Sequence, residues 1–297
     1  MKRLLSCQAS EMLNMNGKEL KQAIMASEGR TVITETVVAT SPLLGGITNA
    51  EVAAAFGSDM ILLNGFDALN PQIGGLPETD EPVKLLKELT GRVVGCNLEP
   101  VDVNADMMES RIEISKGRQA VKETFIAAEK LGCNFICLTG NPGTGVTNKA
   151  IAEAIKVAKE NFTGLIIAGK MHAAGVNEPV VDLKSIEEFI DAGADVILMP
   201  AIDTVQGLSE KEVADACRLI KEKGALSLTA IGTSQEGADV DTIREIALIN
   251  KRAGADIQHI GDAGWSGVAI PENIMTLSIA IRGRRHTYFK MAQSIKR

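Results

Sequence analysis

One phrase recurs four times in this chain and narrows what it can fold into. Gly57-Ser58-Asp59-Met60-Ile61-Leu62-Leu63 is matched by Gly132-Cys133-Asn134-Phe135-Ile136-Cys137-Leu138, by Gly193-Ala194-Asp195-Val196-Ile197-Leu198-Met199 and by Gly254-Ala255-Asp256-Ile257-Gln258-His259-Ile260. Each copy is a glycine, a short polar step and a short apolar run. Glycine closes a helix by taking the left-handed conformation. A short β-rich run without polar alternation is a strand buried on both faces, as in parallel sheets. Four further strands fall between the copies, at Thr31–Thr40, Arg92–Glu99, Gly164–His172 and Leu226–Thr233. Helical patterns follow the strands, most clearly at Lys116–Leu131, Thr147–Asn161, Leu183–Ala192, Ser209–Lys223 and Val240–Ala253. Thr147, Asp182, Ser209 and Asp239 stand where N-caps belong. The strands start near 31, 59, 92, 134, 164, 195, 226 and 256, close to one βα unit apiece.

Eight consecutive βα units predict a single (β/α)8 TIM barrel over residues 30–297. A short N-terminal helical extension over residues 1–29, helical from Asn16 to Ala26, is expected at the barrel's N-terminal end. The length of 297 residues suits one such barrel as well as two smaller domains, and an open doubly wound sheet is the alternative architecture. Even spacing and the count of eight favour the barrel. An apolar share of 45% excludes a disordered chain. A net charge of −7 leaves no basic footprint for nucleic acid or an anionic membrane. No apolar run approaches the roughly 18 residues of a membrane span. Cys7, Cys96, Cys133, Cys137 and Cys217 form no CxxC and no zinc spacing, and read as buried thiols. The start, Met1 to Cys7, resembles a lipoprotein signal in outline, but Leu4-Leu5 falls short of the roughly 7–15 apolar residues required. A cytoplasmic location is therefore expected.

Barrels of this kind place reacting groups at the C-terminal ends of the strands. Residues two apart along a strand share a face. Asn97 and Glu99 on the third strand, Thr139 and Asn141 on the fourth and Lys170 and His172 on the fifth are expected to converge there. The seventh adds Thr229 and Thr233 and the eighth Gln258 and Asp262, while Asn64 ends the second and Asp203 follows the sixth. Lys170 can form a Schiff base, bind an anion or stabilise an enolate, or else form a structural ion pair with Glu99. His172 can move protons or ligate a metal. Glu99 is a base, a ligand or the partner of Lys170. Asp203 caps a turn or joins Glu99 and His172 as a ligand for Mg²⁺, Mn²⁺ or Zn²⁺. His259 shares a face with Ile257 and reads as core.

The loops Gly232-Thr233-Ser234 and Gly261-Asp262-Ala263-Gly264 follow strands seven and eight, where barrels often seat phosphate. Trp265 covers a ligand there or simply packs. Gly140–Gly145 is the next anion candidate, though it lacks a P-loop ending. The long segments Asn70–Glu81 and Pro100–Ser115 are candidate lids. Asp239-Val240-Asp241-Thr242 has the outline of a haloacid dehalogenase signature, but it opens a helix and does not follow a strand. Arg282-Gly283-Arg284-Arg285-His286 reads as cations at the end of the last helix.

With Asn14-Met15-Asn16-Gly17-Lys18-Glu19-Leu20, Leu63-Asn64-Gly65-Phe66-Asp67 and the tail Ile281-Arg282-Gly283-Arg284-Arg285-His286-Thr287-Tyr288, the whole chain resembles a bacterial TIM-barrel family of uncharacterised members labelled phosphonomutase-like or haloacid dehalogenase-like hydrolase. The resemblance implies the barrel. It carries over no catalytic residue, because the aspartate-rich magnesium motif and the cysteine loop of the phosphonomutase group are not evident. The residues together point to an enzyme acting on a small phosphorylated or carboxylated metabolite by carbanion or enolate chemistry, as a lyase, aldolase or isomerase. Lys170, His172, Glu99, Asn97 and Asp203 are its candidate catalytic groups. Asn64, Asn141 and the two glycine loops are its candidate anion site. A metal-dependent phosphonomutase-like enzyme or hydrolase, and a metabolite-binding barrel without turnover, remain as alternatives. A homo-oligomer is compatible with all three.

Overall fold

The structure is a computed structural model and describes residues 2–297. Eight strands close into one parallel barrel in sequence order: β1 Thr31–Val37, β2 Met60–Asn64, β3 Val93–Asn97, β4 Phe135–Leu138, β5 Leu165–Gly169, β6 Val196–Pro200, β7 Leu226–Ile231 and β8 Ile257–Ile260. β1 pairs with both β2 and β8, so no edge strand remains. Helices α1 Ala9–Leu13 and α2 Gly17–Met25 precede the barrel. Around it run α3 Asn49–Ala55, α4 Pro82–Thr90, α5 Lys122–Lys130, α6 Asn148–Asn161, α7 Leu183–Ala192, α8 Glu210–Glu222, α9 Val240–Ala253 and α10 Pro271–Met291. The closed barrel excludes the open sheet.

The repeated phrase explains its own recurrence. Its polar residue opens every even strand and accepts a hydrogen bond from the backbone at the start of the strand before it. Asp59 accepts from Val32 N–H at 2.9 Å, Asn134 from Val94 at 3.3 Å, Asp195 from Ile166 at 3.2 Å and Asp256 from Ser227 at 2.9 Å. The backbone returns the bond each time, from the N–H of 59, 134, 195 and 256 to the carbonyl of 32, 94, 166 and 227. The barrel is thus four βαβα units, each clamped at its base. Caps act as the sequence suggests, with Thr147, Asp182, Ser209 and Asp239 each accepting the N3 backbone N–H. One helix starts later than its pattern. Lys116–Arg118 is a 3-10 turn and α5 begins only at Lys122, because the chain first runs extended beside Glu99.

Two layers of apolar side chains separate by strand parity. Ile33, Met60, Leu62, Val93, Phe135, Cys137, Leu165, Ile167, Val196, Leu198, Leu226, Leu228 and Ile257 fill the barrel interior. Their neighbours, among them Val32, Ile61, Val94, Ile136, Ile166 and Ile197, pack outward against the helices. Leu4, Cys7, Met12, Leu20, Ala23 and Ile24 of the N-terminal segment join the interior set and plug the barrel base. All five cysteines are free and buried. Among the described residues no helix is long and apolar enough to cross a membrane.

The tail does more than answer a helix dipole. α10 kinks at Gly283, whose φ is 74°, and the buried Arg282 turns inward to Asp59 at 2.5 Å. Lys290 lies 3.5 Å from the same carboxylate and donates to the carbonyl of Leu4. Burial pushes the Lys290 ammonium down to about 8, against the pull of Asp59. Asp59 is therefore the one copy of the phrase that also neutralises buried cations. Removing one partner of a buried ion pair costs about 3–5 kcal/mol, whereas a lost hydrogen bond to a charged group costs about 1.5–3 kcal/mol. Asp59→Ala should lower the denaturant midpoint much further than Asp256→Ala. Equal losses would show that the Arg282 pair adds nothing.

Candidate functional site

A cavity of about 580 Å³ opens at the C-terminal end of the barrel. Its floor is set by parity. Glu35 of β1, Asn64 of β2, Asn97 of β3, Thr139 after β4 and Gly232 after β7 share the faces of the interior residues and line it. Asn141, His172, Thr233, Ser234, Gly261 and Asp262 line it too, as expected. Met108 and Glu109 of the Pro100–Ser115 loop reach over the opening, held by bonds from Met108 N–H to Gly175 and from Ile112 N–H to Gly143, both 2.8 Å. The other proposed lid, Asn70–Glu81, lines a separate groove.

Lys170 does not enter the cavity. It has the parity of Ile166 and Ala168 and points outward, where its ammonium meets Glu178 at 2.8 Å. The same Glu178 oxygen accepts the Asn148 N–H at the start of α6, so the pair ties the loop to that helix. Its expected neighbour His172 does line the cavity, because the strand ends at Gly169 and alternation ends with it. Thr229 and Gln258 also face outward, Gln258 donating to the Ala247 carbonyl of α9. Asp203 is exposed on a left-handed turn, with φ of 72°, and does not line the cavity.

Glu99, just past the end of β3 and outside the lining, has partners other than Lys170. It binds Arg118 at 2.8 Å and accepts both the backbone and the side-chain N–H of Asn141, each at 2.8 Å. Asn141 and Asn64 exchange reciprocal amide bonds of 3.0 and 2.8 Å, and Asn64 also donates to Asp262 at 2.8 Å. Asn97 donates to Asn64 at 3.3 Å. One chain of contacts thus runs from the Arg118 cation to the Asp262 carboxyl. With Glu99 so engaged and Asp203 outside, the suggested metal ligands Glu99, His172 and Asp203 do not converge. No cluster of three or more His, Cys, Asp or Glu among the described residues is arranged to hold a metal ion.

The glycine loops line the cavity, and at Gly261 the space left by the missing side chain is taken by protein. A side chain at Gly261 would put its Cβ 2.7 Å from Glu236 Oε1, so the missing side chain makes room for a carboxylate. That oxygen accepts the Ala263 N–H at 2.9 Å, and the Gly261 N–H is spent on the Ile231 carbonyl at 2.8 Å. Gly264 lies outside the lining, its Cα face pressed on Ala269 and Val268. Thr233 and Ser234 are both left-handed, with φ of 55° and 73°, and flank the same cavity. Trp265 is 64% exposed and does not cover it.

Two groups that the sequence reading passed over dominate the electrostatics. Burial, then Glu236 and Glu99, pushes the fully buried Glu35 carboxyl up to about 8. His259 lies 3.0 Å from Glu35, off the line of a hydrogen bond, and neither ring nitrogen has a partner. Burial drops its imidazole to about 4, so it is neutral. Asp262 rises to about 7 through burial and the neighbouring Glu35, and burial also raises Glu236. His172 is held below the ordinary imidazole range by burial, and its Nδ1 accepts the Ala174 N–H at 3.0 Å. In the neutral ring the proton then sits on Nε2. Asn97 Oδ1, Thr139 Oγ1 and Glu236 Oε2 are buried on this lining without any hydrogen-bond partner. Such orphans cost about 1–3 kcal/mol each unless a ligand meets them. Glu35 was legible after all, since it stands two residues from Ile33 on an inward face. Glu236 and Arg118 come from irregular loops and carried no such signal.

The fold and site define a TIM barrel with acid–base groups at its C-terminal mouth. The chain belongs to the family described as a domain of unknown function, DUF7916, whose profile matches residues 5–297. No curated protein matches it. Among solved structures it is similar to an archaeal fructose 1,6-bisphosphate aldolase, with 13% identity, a TM-score of 0.55 and coverage of 93% of this chain and 99% of that one. It is also similar to 2,3-dimethylmalate lyase, a member of the PEP mutase/isocitrate lyase superfamily, with 13% identity, a TM-score of 0.50 and coverage of 86% and 81%. A candidate lyase/mutase from Burkholderia cenocepacia J2315 has 19% identity, a TM-score of 0.50 and coverage of 83% and 82%. At such identities the likeness is one of fold. It accords with the phosphonomutase-like side of the resemblance. The haloacid dehalogenase side has no counterpart in these structures, and Asp239 is a helix cap.

A carboxyl raised in the folded state makes stability fall with pH. Between the unfolded value near 4 and the folded value, the native protein keeps a proton that the unfolded chain has lost. Stability should therefore decline from pH 5 to pH 8 as Glu35 and Asp262 are forced towards ionisation. Glu35→Gln should flatten the decline and melt above the wild type at pH 8. A wild-type melting temperature that rises over this range would refute the assignment.

Proposed function

We propose that the protein is an acid–base enzyme of lyase or isomerase type that moves a proton at a carbon beside a carbonyl group. The observation that carries this reading is the meeting, on one cavity, of an acid held near neutrality and a neutral histidine with its tautomer set. Asp262, ionised in part at neutral pH, is the base, and a base with such a pKa is suited to proton transfer. It takes the proton from carbon, and the electron pair moves to the carbonyl oxygen. The His172 Nε2–H donates to that oxygen and stabilises the enolate. Returning the proton to another carbon gives an isomerase. Collapse of the enolate to a conjugated carbonyl, with a β-substituent leaving on its bonding pair and taking a proton from Glu35, gives a lyase. Glu35, protonated below about 8, is a second acid on the floor. The chain Arg118–Glu99–Asn141–Asn64 positions Asp262. No lysine is placed to form a Schiff base, so the enolate reading rests on His172 instead of Lys170. The barrels that this fold resembles include a lyase and an aldolase, which is in keeping with the reading.

The test is proton exchange. Small ketones, aldehydes and 2-oxo acids, with neutral, carboxylated, phosphorylated and aminated members, are incubated with the protein in D₂O and followed by NMR. At least one should take up deuterium beside its carbonyl. Asp262→Asn and His172→Gln should each slow uptake about 100-fold or more. Borohydride added during turnover should leave no adduct on the wild-type protein. Exchange that survives Asp262→Asn, a lysine adduct, or no exchange across the panel would each overturn the reading.

A further inference from the structure

We infer that the barrel mouth takes a substrate bearing a protonated amino group, held among Glu35, Glu236 and Asp262. This rests on the reading of the cavity as the active site, and it names the class of molecule that enters.

Charge comes first. The lining holds Glu35, Glu109, Glu236 and Asp262, and no lysine or arginine. Lys170, the cation expected to meet a substrate anion, is neutralised outside by Glu178. An anion entering here would meet no cationic side chain, and would meet its own sign of charge on each carboxyl that ionises, in a site where burial strengthens repulsion.

Hydrogen-bonding capacity comes second. Glu236 Oε2 and Asn97 Oδ1 are buried acceptors without donors, on residues 2% and 3% exposed. The described residues donate no hydrogen bond to either, and both side chains belong to the cavity lining, where a donor on a ligand would answer them. A hydroxyl offers one donor and no charge. An ammonium offers three donors in tetrahedral directions and the charge that the carboxylates lack.

Spacing comes third. Glu35, Glu236 and Asp262 arise from three separate strand ends, and each senses another. Glu236 raises Glu35, Glu35 raises Asp262 and Asp262 raises Glu236. Yet they do not form a group close enough to hold a metal ion. Metal–oxygen bonds of about 2.0–2.6 Å need carboxylates almost in contact. An ammonium bonds at about 2.7–2.9 Å in diverging directions and bridges a wider ring. Glu109, exposed on the loop above, extends the same sign of charge to the entrance and favours approach of a cation.

The experiment is calorimetric titration of the full chain with n-propylammonium, propionate and inorganic phosphate at pH 6, 7 and 8. The groups that face the site are Glu35 on β1, Glu99 below β3, Glu109 in the loop above, His172 after β5, Glu236 after β7, and His259 and Asp262 on and after β8. Burial holds both histidines below the ordinary imidazole range, His259 at about 4, and pushes Glu35 and Asp262 up into the range titrated. Propylammonium, with an amine pKa near 10.4, stays charged throughout. Its affinity should rise about 10-fold from pH 6 to pH 8, with protons released on binding. Glu236→Gln, which keeps an acceptor for the Ala263 N–H, should weaken it at least 10-fold. Tighter binding of phosphate or propionate, or an amine affinity flat with pH, would overturn the inference. If Glu236→Gln does not fold, the wild-type pH response decides. Amine binding without proton exchange in any aminated carbonyl compound would sink the proton-transfer reading and leave this one standing. Exchange confined to anionic substrates would do the reverse.

Discussion

The hydrogen bond from each odd strand's first residues to the polar side chain of the repeated phrase is what the rest of the barrel depends on. It locks β1 to β2, β3 to β4, β5 to β6 and β7 to β8 at the base. A slip of one residue in any pair would exchange inward and outward faces. Glu35, Asn64 and Asn97 would then point at helices. The mouth is therefore specified from the opposite end of the barrel, through register.

The two ends are built on opposite electrostatic principles. At the base, Arg92, Arg282 and Lys290 gather near Asp59 and spend their remaining donors on backbone carbonyls. The excess charge there is cationic and is met by Asp59 and by main-chain oxygens. At the mouth, carboxyls face carboxyls and buried acceptors lack donors. A chain selected for stability alone would have replaced Glu35 with an apolar residue level with its neighbours. The strain is concentrated where a substrate can relieve it, which is the usual relation between stability and function.

Fold was legible in the sequence almost to the residue, and the site only in outline. Strand starts were readable because a glycine and an Asp or Asn mark them, and both have local physical jobs. The mouth was harder for two reasons. Alternation is a property of paired strands, so it placed Asn97 and Thr139 correctly and Lys170 keeps the outward parity of Ile166 and Ala168, but His172, beyond the end of β5 at Gly169, departs from it. Glu99 offered a plausible partner for Lys170, yet the true partners, Glu178 and Arg118, arrive on loops whose path no periodicity encodes. His259 looked like core because it is core. Glu35, the acid beside it, was equally open to the same alternation, two residues from Ile33. The glycine at 261 shows why such positions say little by themselves, since an absent side chain shows that space is needed and not what fills it, here Glu236.

The Lys290 ammonium holds the carbonyls of Leu4 and Cys7, and the Arg297 carbonyl accepts the Ser10 N–H. Lys290 and Leu4 are 286 positions apart in the chain. During synthesis the N-terminal plug leaves the ribosome long before its clasp exists, and it must wait with Leu4, Leu5 and Met12 uncovered. The base of the barrel can thus be sealed only once α10 has been made, long after the plug that it secures. Nascent chains stalled ahead of α10 would carry a loose, apolar N-terminus, an evident handle for chaperones.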